Sequence, residues 1–181
     1  MIYLASRSPR RRQLLEWVGL EVEVAPSLVD ETHDPIEPPP KHARRLAIAK
    51  AATGPADRIV VAADTVVYRG DVLFDMPLDR DEARQHLTEL SGGWHRVTTG
   101  VCVRRGALQE AFTVTTEVRF RALSPAEIEV YLASGDADDK AGAYGIQGRG
   151  SALIAEIRGS WTNVMGLPVE ETLAAIAVVS A

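Results

Sequence analysis

Asp64 interrupts one of the most apolar stretches of the chain, Ile59-Val60-Val61-Ala62-Ala63-Asp64-Thr65-Val66-Val67. A run this rich in β-branched residues reads as a buried central strand. A carboxylate there costs roughly several kcal/mol in desolvation unless something pairs with it. A cation, a metal or a water that needs activating would each meet that need.

Three other groups of residues carry the right chemistry to answer it. Ser6-Arg7-Ser8-Pro9-Arg10-Arg11-Arg12 lies between a strand and a helix start. Unpaired backbone N–H groups, a hydroxyl and guanidinium groups at such a place bind anions, although a capped surface helix with solvated arginines has the same spelling. Lys50 falls on a helical stripe with Ala43, Leu46 and Ala47, at i, i+3, i+4 and i+7. Its ammonium either snorkels to solvent or faces a cleft, where it holds a phosphate or pairs with Asp64. Asp30-Glu31 precedes a proline-rich connection; with Asp64 these acids offer the hard oxygen ligands that Mg²⁺ prefers. The segment Asp139 to Gly150 has four glycines in its last nine residues, which permit a ligand to approach the backbone or simply make a hairpin loop pliable. Cations, a helix start, a glycine-rich loop and buried carboxylates are together the equipment for a polyphosphate substrate with a divalent metal.

These groups need a scaffold of alternating strands and helices. Tyr3 to Ser6 reads as a first strand. Ser8-Pro9 opens a helix with Leu14, Leu15 and Val18 inward, stopping at Gly19. Glu21 to Ala25 suits a second strand, and Pro35, Pro38, Pro39 and Pro40 mark a turn-rich connection. Helices follow over Lys41 to Thr53 and Arg80 to Leu90, the second ending at Ser91-Gly92-Gly93. Val97 to Arg104 and Ala111 to Arg121 alternate as a strand pair joined near Gly106, with Phe112, Val114, Thr116, Val118 and Phe120 on one face. Ser124-Pro125-Ala126-Glu127 is a capping box. A strand over Ala152 to Ile157 and a last helix after Gly166-Leu167-Pro168 complete an α/β or α+β pattern whose strand order stays open.

With 181 residues the chain is sized for one domain, 1–181, with a substantial core. A net charge of −5 argues against broad nucleic-acid binding, and no aromatics interleave the arginines. The single cysteine, Cys102, excludes an internal disulfide and a cysteine-rich zinc site. His33, His42, His86 and His95 lack metal-ligand spacing, and no Gly-x-Ser-x-Gly or Walker pattern occurs. No signal-peptide core or membrane-length apolar run is visible, so the expectation is a cytoplasmic protein without a membrane or nucleic-acid partner.

At these residues the chain resembles the Maf family, nucleoside triphosphate pyrophosphatases also linked to septum formation. The resemblance runs nearly end to end. It includes Leu4 to Arg11, Val29-Asp30-Glu31, Ala47-Ile48-Ala49-Lys50-Ala51 and Ala63 to Val67. Further on come Leu90-Ser91-Gly92 with His95, Thr99-Gly100-Val101, the Asp139 to Gly150 loop and Asn163 to Pro168. It implies an α/β fold with a mixed twisted sheet flanked by helices, two lobes and a central cleft, similar to inosine triphosphate pyrophosphatase. It also implies hydrolysis between the α and β phosphates. Asp64 would be the proton acceptor that activates water, helped by Mg²⁺ or Mn²⁺. Glu31 would share the metal with Asp64, while Ser8, Arg11 and Lys50 would hold the triphosphate. Arg10, Thr65 and Gln147 match the specificity positions of the branch acting on dTTP and UTP. Modified pyrimidine nucleotides are expected substrates too, and a homodimer is the family-level expectation. An amide such as Gln147 both donates and accepts, which suits a uracil or thymine edge.

One position departs from the family pattern. Asp75-Met76-Pro77 stands where the family has Gly-Lys-Pro, so a phosphate-binding lysine is missing. Arg69 or Arg80 nearby offers a cation that could compensate, which sequence does not decide, and Met76→Lys is expected to lower KM. The same departure favours a rival reading, a nucleotide-binding regulator of cell division with little turnover.

Overall fold

The computed structural model describes residues 1–34 and 36–181; Pro35 of the proline-rich connection lies outside the described residues. Thirteen regular elements follow one another: β1 (Ile2–Leu4), α1 (Pro9–Trp17), β2 (Val22–Val24), α2 (Pro39–Ala52), β3 (Val60–Arg69), β4 (Val72–Phe74), α3 (Arg80–Leu90), β5 (Trp94–Arg105), β6 (Leu108–Phe120), α4 (Pro125–Leu132), β7 (Ile154–Arg158), α5 (Trp161–Met165) and α6 (Val169–Ser180). Two 3₁₀ turns, Ala141–Ala143 and Gly148–Leu153, occupy the glycine-rich segment.

The strands form one mixed sheet in the order β2-β1-β3-β5-β6-β7, with β4 attached to β3. Short β2, β1 and β3 run parallel because α1 and α2 carry the chain back between them. From β3 onward the neighbours are antiparallel, and β5 pairs with β3 from Val60 to Tyr68. The Asp64 run is therefore a central strand, covered on both faces. Val60, Ala62, Val66 and Tyr68 pack under Ala43, Ala47 and Ala51 of α2. Val61 and Ala63 face Leu14, Leu15 and Leu167 on the other side.

Gly100 sets how closely α2 lies on this sheet. It pairs with Asp64 in register, and a Cβ there would come within 2.4 Å of the Ala43 carbonyl group. Only a residue with no side chain lets helix backbone touch strand backbone at that point.

Several boundaries differ from the sequence reading for identifiable reasons. β1 ends at Leu4 because the Ser6 hydroxyl turns to accept from the Ser8 N–H, at 3.2 Å. The second helix begins at Pro39 rather than Lys41, since prolines fit a first turn whose N–H groups need no intrahelical acceptor. Val18 is not inward; it is the exposed C-cap of α1. The strand expected from Ala152 starts at Ile154, the preceding residues being held in the second 3₁₀ turn. The three-residue β4 and single-turn α5 are too short to leave a periodic signal. α3 and the Ser124 capping box lie where the sequence placed them. Among the described residues no helix is long and apolar enough to cross a membrane.

Candidate active site

The sheet has a gap, and the site sits in it. On the edge of β3 away from β5, β1 pairs only as far as Val61 and β4 begins only at Val67. Between them the edge of β3 faces a cleft of about 840 Å³, a size that admits a nucleotide. The turn after β1, the segment ending in Glu31, α2 and the glycine-rich loop close round it.

Strand alternation sends Asp64 and Thr65 to opposite faces, and each meets a different cation. Asp64, buried to 8% exposure, accepts a hydrogen bond from Lys50 Nζ at 2.7 Å through Oδ1. The same ammonium lies 2.9 Å from Glu31 Oε1. Lys50 is itself buried to 6% exposure, so it does not snorkel. The two carboxylates are thus no farther apart than two hydrogen bonds laid end to end, with one positive charge between them.

Thr65 meets Arg11. The Arg11 guanidinium donates from Nη2 to Thr65 Oγ1 (2.9 Å), from Nη1 to Ser6 Oγ (3.0 Å) and from Nε to the Gly166 carbonyl (2.8 Å). All three acceptors are neutral, so the group is fixed without its charge being cancelled. Burial pushes its pKa down, opposed chiefly by the charge of Asp64. The Thr65 hydroxyl is committed as well. Thr99 Oγ1, 3.0 Å away, gives its own proton to the Asn163 carbonyl. Thr65 therefore donates to Thr99 and accepts from Arg11, leaving one lone pair for a ligand.

Ser8 caps α1, its Oγ facing the Arg11 N–H at 3.5 Å, and lines the cleft with Arg7, Arg10 and Arg11. Arg10 reaches across the mouth to Asp139 Oδ2 at 3.2 Å. Gln147 lines the same cleft, half-buried, and among the described residues its amide makes no hydrogen bond within the protein. All eight residues singled out from the sequence, Ser8, Arg10, Arg11, Glu31, Lys50, Asp64, Thr65 and Gln147, therefore come together on one cleft.

Two expectations are corrected. Arg69 cannot make good the missing lysine, because it donates to the carbonyls of Trp94, Glu89 and Leu90, away from the cleft. Arg80 is bound to Glu129 at 3.0 Å on the α3–α4 surface. Ser6 and Thr99 stand in the sequence motifs without a role of their own; in the structure they lock Arg11 and Thr65 in place. Their signal was adjacency to the motif residues, but which hydroxyl meets which guanidinium depends on β3–β5 register. His95 likewise stands in a motif without an assigned role. It is buried at 2% exposure and bonded through Nε2 to the Tyr144 hydroxyl at 2.7 Å. Tyr144 in turn lines the cleft beside Gln147.

The residues fit a divalent cation. Glu31 and Asp64 already converge on one cationic point, the Lys50 ammonium. Mg²⁺ is commonly held by one or two carboxylates, with phosphate oxygens and water completing the shell. Among the described residues no group of three His, Cys, Asp or Glu forms a protein-only cage, so substrate oxygens would supply the rest.

A mixed sheet opened at a strand edge, with anion-binding groups round the gap, defines a nucleotide-cleft α/β protein. The Ham1 protein of Staphylococcus aureus has the same overall fold, with a TM-score of 0.54 over 99% of both chains at 13% identity. The family is more specific: residues 1–179 match the model of the Maf-like proteins, and the chain belongs to that family. A dTTP/UTP pyrophosphatase of Anaeromyxobacter dehalogenans is 48% identical over 96% of this chain and 91% of its own length. Those of Chromobacterium violaceum and Halalkalibacterium halodurans are each 46% identical, covering 94% and 98% of this chain and 90% and 95% of their own lengths.

Proposed function

We propose that this protein hydrolyses dTTP and UTP to the monophosphate and pyrophosphate. The observation that carries the reading is the Glu31–Lys50–Asp64 cluster on the floor of a cleft whose rim is Ser8 to Arg11. Relatives so named at 46–48% identity support the substrate class.

Asp64 is the proton acceptor. Its carboxylate is fixed by the Lys50 hydrogen bond, and its position on the open edge of β3 lets a water stand between it and the α-phosphorus. Lys50 keeps two carboxylates together in a confined space and turns its charge to the phosphates as they enter. Arg11 presents a charge whose orientation is set before binding, so little reorganisation is needed as charge develops on the phosphates. Glu31 and Asp64 would hold a Mg²⁺ or Mn²⁺ ion, which when bound neutralises phosphate charge and polarises the reacting oxygens. The uncommitted amide of Gln147 reads the base, donating to O4 and accepting from N3–H of a uracil or thymine. Modified pyrimidines that keep this edge would bind in the same way.

Hydrolysis in ¹⁸O-water tests the reading. The label should enter the monophosphate, with pyrophosphate unlabelled, and a chelator should stop turnover until Mg²⁺ or Mn²⁺ is restored. Asp64→Asn should lower kcat by about 10²–10⁴-fold. Release of orthophosphate, or full activity in that variant, would sink the mechanism. Tight nucleotide binding without turnover would favour a regulatory role instead.

A further inference from the structure

We infer that Lys140 is a phosphate-binding residue of this cleft, supplying positive charge at the wall where Met76 supplies none. The inference rests on the triphosphate reading above and adds a residue to that site.

The cations of the cleft are not equally available. Lys50 is enclosed by Asp64 and Glu31, and Arg11 is bound to three neutral oxygens near the end of β1. On the opposite wall, the glycine-rich loop crosses the segment that follows β4. The Gly142 N–H donates to the Asp75 carbonyl at 3.2 Å. Met76 and Lys140, each within two residues of that bond, both line the cleft. Met76 is exposed at 58% and neutral. Lys140 has a side chain only 17% exposed, with its ammonium on Asp139 Oδ1.

The stem of Lys140 is guided. Its Cδ and Cε lie 3.0 and 2.9 Å from where a Cβ on Gly145 would stand, so the absence of a side chain at 145 gives the lysine its path. The counterion is shared and exposed: Asp139, 61% exposed, holds Lys140 through one oxygen and Arg10 through the other. One carboxylate is thus divided between two cations, while Asp75 and Asp136 line the same cleft without, among the described residues, an ion pair to either. A single surface carboxylate is a weak competitor for an ammonium when a polyanion arrives. Both cations can then turn to phosphate while Asp139 remains solvated.

The test is affinity for α,β-imido-dUTP, which needs no turnover, with thermal melting as the check on folding. Lys140→Met keeps the stem against Gly145 and removes the charge; it should weaken binding roughly ten- to a hundredfold, the usual worth of a charged hydrogen bond. Lys140→Arg should retain most of the affinity. Met76→Lys, which the sequence alone expects to lower KM, should instead change little in the native protein because Lys140 already fills the role. Combined with Lys140→Met it should recover most of the loss, because an ammonium on the adjoining segment of the wall substitutes for the lost one. A packing role for Lys140 would not be rescued from position 76. Native affinity in Lys140→Met, or a loss that neither Lys140→Arg nor Met76→Lys repairs, overturns the inference. Pyrophosphate release is measured separately on the wild type. Its failure alone strikes the proposed reaction and leaves these affinities to decide Lys140, whereas a wild type that binds no analogue overturns both.

Discussion

Thr65 shows how much of this site is set by single hydrogen bonds. Its hydroxyl stands between Arg11 and Thr99, so removing it frees a buried guanidinium that, among the described residues, has no other acceptor at that nitrogen. Leaving a buried donor unpaired costs about 1–3 kcal/mol. Thr65→Val should therefore lower kcat/KM about tenfold for dTTP and UTP alike, as Arg11 loses its fixed orientation. Steady-state kinetics across a nucleotide panel decides the matter. A variant in which only the preference among bases shifts would put Thr65 on the base rather than behind the arginine.

At the scale of elements, the site depends on how α2 and the glycine-rich loop are seated. α2 carries Lys50, and it reaches Asp64 only because Gly100 lets the helix backbone rest on β5. Gly100→Ala drives a methyl into the Ala43 carbonyl and should cost about 1–3 kcal/mol by overpacking, with a fall in turnover as Lys50 is lifted. Urea unfolding and kcat together test this, and a variant as stable and active as the wild type would show that α2 is free to move. The loop is pinned by the His95–Tyr144 hydrogen bond and by the edge-on contacts of His95 and Tyr144 with Phe120. Burial pushes the His95 pKa down to about 3, helped by the charge of Arg69. Above an unfolded pKa of about 6.5 both states hold a neutral imidazole, so the group has no effect on stability. Below it the unfolded chain takes up a proton that the native ring refuses, and stability falls as pH drops towards 3. The slope for this one group is at most about 1.4 kcal/mol per pH unit. His95→Gln should flatten that dependence, and an unchanged slope between pH 6.5 and 4 would assign it to other groups.

For the whole molecule, the same strands serve every part of the core. β3 and β5 contribute Val67 and Val97 to the cluster around Phe120, Val61 and Val101 to that around Leu14, and Val60 and Cys102 to that under α2. No region can lose its packing without exposing a strand the others need. We therefore expect residues 1–181 to unfold as one domain, in a single calorimetric transition whose van't Hoff and calorimetric enthalpies agree. Two resolved transitions would divide the chain into separate folding units.

Much of this was legible in the chain itself. The β-branched run around Asp64, the Ala43–Lys50 stripe and the Ser8-Pro9 cap are local patterns. Local sterics and periodicity place such residues on a strand, a helix face and a helix start whatever surrounds them. The sequence thereby determined on which elements these candidate groups lie. What it could not determine is who meets whom. Asp64 and Thr65 are neighbours in the chain, yet one binds Lys50 and the other Arg11, because pleating turns them to opposite faces and β1 stops short of both. That Arg69 and Arg80 point away from the cleft, while Lys140 points into it, follows from contacts between segments far apart in sequence. Such contacts are fixed by burial and register, and only the tertiary structure decides them.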